Sequence, residues 1–364
     1  MTQKAEIYLP AVARFAGDLE KRQRALEVVR NEGYRTGLML VVRGPQDLTP
    51  ESIQKQLDNL AGYTNLDKEG RPVVFVMHPN KPVTGEDRLN FVNNPKRSQD
   101  YVEQSIELAS KLPAELTPAT GKAVTFHLNG LVTPAEWLAD PEAWQKTSER
   151  MYAQIKDIAG FAARHNVKIA VETVPVPEFG DMKRSDDTRL EGTELYWDQL
   201  GNPWNLLPWR EEITKLREAG AGLSIDWCHS WVAMNTVDEV KRLAGQGMLS
   251  EALATYMIFE SDLAHAGKKE NFSDELVKIT QDGDIWHAND ARGIYRTPHL
   301  HGQYTNFEEG VPLYCGDIPD DQLDRLIRHG LQKPIKFVVE VHEDDFDNNP
   351  NSKASLEQIL QKSK

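Results

Sequence analysis

Three histidines and an aspartate lie close together in the segment IWHANDARGIYRTPHLHGQY, namely His287, Asp290, His299 and His301. The whole chain has 10 histidines, so composition alone does not predict three of them in one segment. Imidazole nitrogens and carboxylate oxygens are ligands that Zn²⁺ and Mn²⁺ accept readily. The segment therefore indicates a metal site, to which other parts of the chain must bring the remaining ligands.

Eight short apolar, β-branched runs recur along the chain, each followed by a polar loop and a helical pattern. They are residues 6–12, 36–42, 72–78, 123–128, 167–173, 222–227, 283–288 and 334–341. Apolar strands that alternate with helices indicate a parallel sheet covered on both faces. Because no linker divides the chain, the repeats predict an α/β fold, a (β/α)8 TIM barrel, with residues 1–364 as a single domain.

One connection is longer than an ordinary loop between a strand and a helix. Residues 178–209, after the fifth predicted strand, contain three tryptophans. Long loops in compact domains are usually functional, so we predict a lid or wall over the site. The tryptophans either stack on a substrate ring or pack the loop itself.

Active sites of TIM barrels lie where the strands end, and here those ends are rich in histidine and carboxylate side chains. The candidate metal ligands are His78, His127, Glu172, Asp226, His229, His287, His299, His301 and Glu340. Any one of them alone is as consistent with a buried hydrogen bond as with a site. Together they exceed the three or four protein ligands that a single zinc ion takes, and they would repel one another without cations. We therefore predict two or three Zn²⁺ ions, with Mn²⁺ or Mg²⁺ as alternatives.

Composition narrows the class of partner. The formal net charge is -14, which disfavours nucleic acid, so a small phosphoester or sugar is a better candidate than duplex DNA. The chain has no long apolar run, and its cysteines, Cys228 and Cys315, form no CxxC pair. These features predict a cytoplasmic protein with free thiols and no membrane partner. The sequence gives no indication of the oligomeric state.

Four strand ends resemble those of a known superfamily. VETVP (171–175), IDWCH (225–229), WHAND (286–290) and VVEVH (338–342) are similar to the strand ends of xylose isomerase-like TIM barrels. That superfamily (AP endonuclease family 2) includes sugar isomerases, epimerases and endonuclease IV. Its isomerases and epimerases typically share the counterparts of the residues that end strands five to eight here, Glu172, Asp226, His229, His287 and Glu340.

Histidines at the ends of strands three and four, here His78 and His127, are typical of endonuclease IV, whose site is a three-zinc cluster. The resemblance therefore implies a multinuclear site. In endonuclease IV the loop after strand seven carries Asp-x-His, where this chain has His299-Leu300-His301. The acidic segment EVHEDDFDN (340–348) differs too, because its carboxylates would repel a DNA backbone.

Two reactions fit these residues, and the first is our main prediction. In metal-assisted hydrolysis of a phosphoester, Glu172 bridges two metals, Glu340 holds a bridging water, and Arg292 or Arg296 contacts the phosphate. In the alternative, a sugar isomerase or epimerase with one divalent metal, Glu172 and Glu340 bind the metal and act as an acid/base pair. Asp226 and His287 then complete the metal shell and His229 binds substrate. A metal-dependent binding protein without catalysis is a third possibility.

Overall fold

Strands and helices alternate along the chain in the computed structural model, which describes residues 5–63, 73–77, 89–130, 141–176, 178–179, 201–202, 206–303, 305 and 307–363. Side chains are described for these ranges apart from residues 62–63, 73–77, 141–144, 178–179, 201–202 and 298–299. The segment 178–209, predicted to be a lid or wall, lies mostly outside the described residues, so its role stays a prediction.

The described strands are β1 (Glu6–Ala11), β2 (Arg35–Val41), β3 (Val73–Met77), β4 (Ala123–His127), β5 (Lys168–Glu172), β6 (Glu178–Phe179), β7 (Gly201–Asn202), β8 (Gly222–Asp226), β9 (Ile285–Ala288), β10 (Asp290–Arg292), β11 (Glu308–Val311) and β12 (Lys336–Val339). Eight of these described strands pair in parallel and close a barrel in the order β1-β12-β9-β8-β5-β4-β3-β2. The other four form two antiparallel hairpins, β6–β7 and β10–β11. All eight predicted strands are present, so the prediction of an α/β barrel is confirmed.

The described helices are α1 (Ala16–Arg30), α2 (Pro50–Tyr63), α3 (Pro95–Ser110), α4 (Pro141–Arg164), α5 (Glu211–Glu218), α6 (Trp227–Ala244), α7 (Leu249–Tyr256), α8 (Phe272–Ile279), α9 (Pro298–His301), α10 (Asp320–Leu331) and α11 (Pro350–Lys362). Their apolar faces pack against outward-facing strand residues in one large cluster, to which Leu26 of α1 and Leu38 of β2 belong. No helix among the described residues is long and apolar enough to span a membrane. Both cysteines are free thiols, as predicted.

A second, smaller apolar cluster fills the inside of the barrel. Its buried members are Tyr8, Met39, Ala123, Ala170, Ile285 and Val338. Because side chains alternate between the two faces of a strand, residues two or four positions farther along also point inward. Those positions hold His127, Glu172, His287 and Glu340. The register pairs His127 with Glu172 and Asp226 with His287, so these residues form the top layer of the barrel interior.

The opposite, N-terminal end of the barrel holds a buried polar network. Tyr8 donates a hydrogen bond to Glu6 Oε2 at 2.8 Å, and Arg35 donates one to Glu6 Oε1 at 2.9 Å. Lys336 is fully buried there, and its Nζ donates to Thr120 Oγ1 at 2.5 Å. Burial lowers the pKa of Lys336 to about 7. Residues at this face of a TIM barrel usually serve stability rather than catalysis.

Candidate metal centre and active site

Four residues converge at the C-terminal end of the barrel: Glu172, Asp226, His287 and Glu340. Each offers a ligand atom, and these atoms all lie within 4.8 Å of one another. The first three side chains are buried, whereas Glu340 is 31% exposed. We call these residues the four-residue group; it is a buried cluster of potential ligands that opens to solvent beside Glu340.

Asp226 is held in place by the start of helix α6. As the N-cap, its Oδ1 accepts a hydrogen bond from the backbone N–H of His229 at 2.8 Å. Its Oδ2 accepts one from Asn289 Nδ2 at 2.9 Å, and Asn289 Oδ1 in turn accepts one from the Cys228 N–H at 3.0 Å. The carboxylate therefore cannot rotate without breaking these bonds.

His287 presents one ring nitrogen to the carboxylates and the other to a hydroxyl. Its Nε2 lies 3.2 Å from Ser224 Oγ. Its Nδ1 lies 3.2 Å from Glu172 Oε1, 3.7 Å from Asp226 Oδ2 and 2.8 Å from Glu340 Oε2. None of the three contacts of Nδ1 has hydrogen-bond geometry, and Glu340 Oε2 also has no hydrogen-bond partner among the described residues. An imidazole nitrogen that faces three carboxylates in this way fits a divalent cation between them.

The charges of the site perturb one another. Burial alone would lower the pKa of His287, but the charges of Glu172 and Glu340 outweigh it and hold that pKa well above its usual value. Burial alone would raise the pKa of Glu172, but His287 and His127 hold it well below its usual value. Burial raises the pKa of Asp226. Either a proton on His287 or a bound cation would therefore neutralise the negative charge of these carboxylates. The two cannot occupy this position together.

A second group of potential ligands shares Glu172. His127, Glu172 and His229 also offer ligand atoms within 4.8 Å of one another, and all three are buried. His127 Nε2 lies 3.3 Å from Glu172 Oε1, and His229 Nδ1 lies 3.8 Å from the same oxygen. However, His229 Nδ1 is also 2.8 Å from the carbonyl oxygen of Thr173, to which it donates. His229 Nε2 is then the nitrogen that faces the open site.

One residue near the site was not predicted from the sequence. Glu309 lies on β11, and its Oε2 is 3.5 Å from His229 Nε2. Hairpin β10–β11 brings it there, and the strands of that hairpin are separated by a long segment of chain. The EEGV run at 308–311 has no strand-like apolar pattern, and the sequence gives no signal that this run returns to the barrel mouth.

The loop after β9 does not place His301 at the metal group. His301 Nε2 lies 2.9 Å from Glu239 Oε1 on α6, and its Nδ1 lies 3.2 Å from the carbonyl oxygen of Thr297. The short helix α9 packs its last residue against α6, so His301 belongs to neither ligand group of the described residues, and its role as a metal ligand stays a prediction. The side chains of His78 and His299 lie outside the described residues.

The two predicted phosphate contacts do not join the ligand groups either. Arg292 is half-exposed, and its Nη1 lies 3.1 Å from Glu308 Oε2 while its Nη2 donates to the carbonyl oxygen of Cys315. Arg296 is partly buried and pairs through its backbone with Thr305. Arg292 therefore lies on the outer face of hairpin β10–β11, and among the described residues Arg296 belongs to neither ligand group.

The acidic segment 340–348 contributes less to the site than its composition indicates. Glu343 is buried, and its carboxylate accepts hydrogen bonds from the backbone N–H groups of Asn351 at 3.1 Å and Ser352 at 2.6 Å. These are the first N–H groups of α11, where a carboxylate is favoured. Glu343 therefore stabilises the start of a helix.

Comparison with known proteins gives similarity in structure but not in sequence. No family model matches the chain, and no curated protein matches it. A D-tagatose 3-epimerase-like protein matches with a TM-score of 0.53 at 14% identity, over 98% of this chain and 97% of its own. D-allulose 3-epimerase from Methylomonas sp. matches with a TM-score of 0.52 at 11% identity, over 99% and 98%. L-ribulose 3-epimerase matches with a TM-score of 0.51 at 15% identity, over 99% and 94%.

This chain has the same barrel fold as these three structures. The similarity predicted from the strand ends is thus confirmed at the level of the fold. The finer similarity to endonuclease IV is not confirmed, because the three structures above are named for epimerases. At such low identity the comparisons show a shared fold alone, so the chemistry must be argued from the site.

Proposed function

We propose that this protein is a divalent-metal-dependent isomerase or epimerase of a small carbohydrate. The observation that carries the proposal is the four-residue group, in which Glu172 and Glu340 face each other across His287. Glu172 ends strand β5 and Glu340 directly follows strand β12, and the two strands are separated in the barrel by β8 and β9. Two carboxylates that approach from different sides can reach both faces of one substrate carbon.

Glu172, Asp226, His287 and Glu340 would hold the cation. When bound, the cation polarises the substrate carbonyl and makes the neighbouring C–H more acidic. One glutamate, as the carboxylate, accepts the proton from the carbon next to the carbonyl. The other, as the carboxylic acid, delivers a proton to the opposite face of that carbon, which inverts it. Delivery to the former carbonyl carbon instead, while the hydroxyl proton passes to the former carbonyl oxygen, moves the carbonyl by one position.

The surroundings of the two glutamates suit these roles. Glu172 is almost fully buried between His127 and His287, so its position is fixed. Glu340 is 31% exposed and can exchange its proton with solvent between turnovers. His229, fixed by its hydrogen bond to Thr173, presents Nε2 toward a substrate hydroxyl. The names of the fold neighbours, which refer to ketose epimerases, support the same class of substrate.

The test is metal-dependent exchange of a substrate hydrogen with solvent. Protein loaded with Mn²⁺ or Mg²⁺ is incubated in D₂O with D-tagatose, D-allulose and L-ribulose, and deuterium incorporation is followed by NMR. We expect exchange that requires metal and is lost in Glu172→Gln and Glu340→Gln. Glu308→Gln, on the outer face of hairpin β10–β11, is the matched control. Full metal occupancy with no exchange on any sugar would refute the proposal and favour a binding protein without catalysis.

Hydrolysis of a phosphoester is the second candidate, and the group of His127, Glu172 and His229 favours it. Two cations that share Glu172 could hold a bridging water and a phosphoryl oxygen. His78 and His299 remain predicted ligands for such a multinuclear site. Metal stoichiometry separates the candidates, because one Mn²⁺ or Mg²⁺ ion per chain supports the isomerase. Two or more Zn²⁺ ions together with turnover of a phosphodiester would support the hydrolase.

A further inference from the structure

Hydrogen bonds to neighbouring segments fix hairpin β10–β11 at the barrel mouth. The buried carboxylate of Asp290 accepts hydrogen bonds from the N–H groups of Gly316 at 2.8 Å and Ile318 at 3.1 Å. The carbonyl oxygen of Gly310 accepts one from the N–H of His342 at 2.7 Å. Gly310 has a φ of +66°, and a Cβ there would lie 2.8 Å from His342 Cδ2, so glycine is required for this approach. Side chains on β11 therefore have defined positions relative to the site.

Neighbouring glutamates on β11 point in opposite directions. Glu309 is 39% exposed, and its Oε2 lies 3.5 Å from His229 Nε2. Glu308 is half-exposed, and its Oε2 lies 3.1 Å from Arg292 Nη1. This alternation is the normal period of a strand. The hairpin thus presents one carboxylate to the site and one to the outer surface.

Glu309 lies on the solvent side of His229, opposite the metal ligands. On the inner side, His229 Nδ1 is 3.8 Å from both Glu172 Oε1 and Asp226 Oδ1. Glu309 belongs to neither ligand group. A substrate that reaches the four-residue group and also contacts His229 Nε2 must therefore pass close to the Glu309 carboxylate.

A carboxylate in this position discriminates between substrate groups by their charge. It accepts hydrogen bonds from hydroxyl groups, and a charge-assisted hydrogen bond is stronger than a neutral one. It repels a phosphate or carboxylate, and salt screens this repulsion poorly in a partly buried site.

We propose that Glu309 is a specificity residue that selects uncharged, polyhydroxylated substrates. Its carboxylate binds a substrate hydroxyl beside His229 and excludes analogues that carry a phosphate or carboxylate there. This inference rests on the proposed function, from which it takes the type of reaction. It adds that the carbohydrate is unphosphorylated at the end nearest His229.

The experiment compares Glu309→Gln, Glu309→Asp and the matched control Glu308→Gln in the full chain loaded with Mn²⁺. Binding of inorganic phosphate to the metal is followed by water-proton relaxation, and kcat and KM are measured for D-tagatose, D-allulose and L-ribulose. For Glu309→Gln we expect at least tenfold tighter phosphate binding and at least a tenfold higher KM, with a smaller change in kcat. Glu309→Asp should keep the exclusion of phosphate, and Glu308→Gln should behave like the unaltered protein.

The outcomes distinguish this inference from the proposed function. If Glu309→Gln binds phosphate no more tightly than Glu308→Gln does, Glu309 does not select against anions and the inference is overturned. If the unaltered protein turns over none of the sugars, the proposed function fails, while the phosphate comparison still decides the role of Glu309. A protein that binds no Mn²⁺ overturns both.

Discussion

Replacing Lys336 by methionine should stabilise the protein, and most strongly at low pH. Lys336 is fully buried at the N-terminal end of the barrel, where burial lowers its pKa from 10.5 to about 7. A difference of this size corresponds to about 5 kcal/mol as an upper limit. Methionine loses the hydrogen bond to Thr120, which is worth about 1 kcal/mol. We therefore expect a net gain of about 2–4 kcal/mol at pH 6.

The sign of the pH dependence follows from proton binding. Below about pH 7 Lys336 is protonated in both the folded and the unfolded chain, so the cost of burying its charge is fully present. Between about 7 and 10.5 the unfolded chain binds more protons, so the stability of the unaltered protein rises with pH. The advantage of Lys336→Met should therefore shrink steadily from pH 7 to pH 10.

Urea midpoints at pH 6 and pH 9 measure both effects. Lys278→Met, at a highly exposed helix position, is the surface control and should change stability by less than about 0.5 kcal/mol. Four residues along a strand correspond to roughly 13 Å between Lys336 and Glu340, so metal binding should not change. A Lys336→Met variant that is less stable at pH 6, or one with the pH slope of the unaltered protein, would refute the reasoning. In that case the charged form of the Lys336 side chain would be stabilised by Glu6.

Three other outcomes follow from the structure. A divalent cation at about 100 times its Kd should stabilise the fold by about 2.7 kcal/mol. Thermal melts should show this gain, and an equal gain in His287→Ala would place the ion elsewhere. His301→Ala should keep the metal content measured by elemental analysis, because His301 contacts Glu239, while it costs about 1–3 kcal/mol of stability. A lost ion would show that His301 is a ligand. Gly310→Ala should loosen hairpin β10–β11 by about 1–3 kcal/mol, because alanine is strained at φ +66° and contacts His342. Hydrogen exchange over residues 305–311 measures this, and unchanged protection would contradict it.

The barrel and the four-residue group could be predicted because both depend on strand periodicity. The apolar runs locate the strands, and alternation along each strand places Glu172, His287 and Glu340 inside the barrel with His127. Parallel strands end at the same edge, so residues far apart in sequence meet there. The ordinary rules of strand geometry are sufficient for this part of the site.

The residues after β9 could not be placed by the same rules. His301 and Glu309 lie in a segment without a sustained period, where residue type does not determine the direction of a side chain. The outcome depends on pairing between β10 and β11 and on the contact of His301 with Glu239. Such pairings are non-local, and the sequence carries no pattern that distinguishes them from a loop. Hydrogen bonds that orient a ligand, such as the one between Ser224 and His287, are likewise not predictable from spacing.

Glu172 belongs to both groups of potential ligands. Its Oε1 lies 3.3 Å from His127 Nε2 and 3.2 Å from His287 Nδ1. Two cation sites with a common ligand are thermodynamically linked, so occupancy of one changes the affinity of the other by a reciprocal factor. If both groups bind a cation, a metal titration of this protein should therefore not follow two independent isotherms. The ratio of successive binding constants would measure how strongly one glutamate connects the two halves of the site.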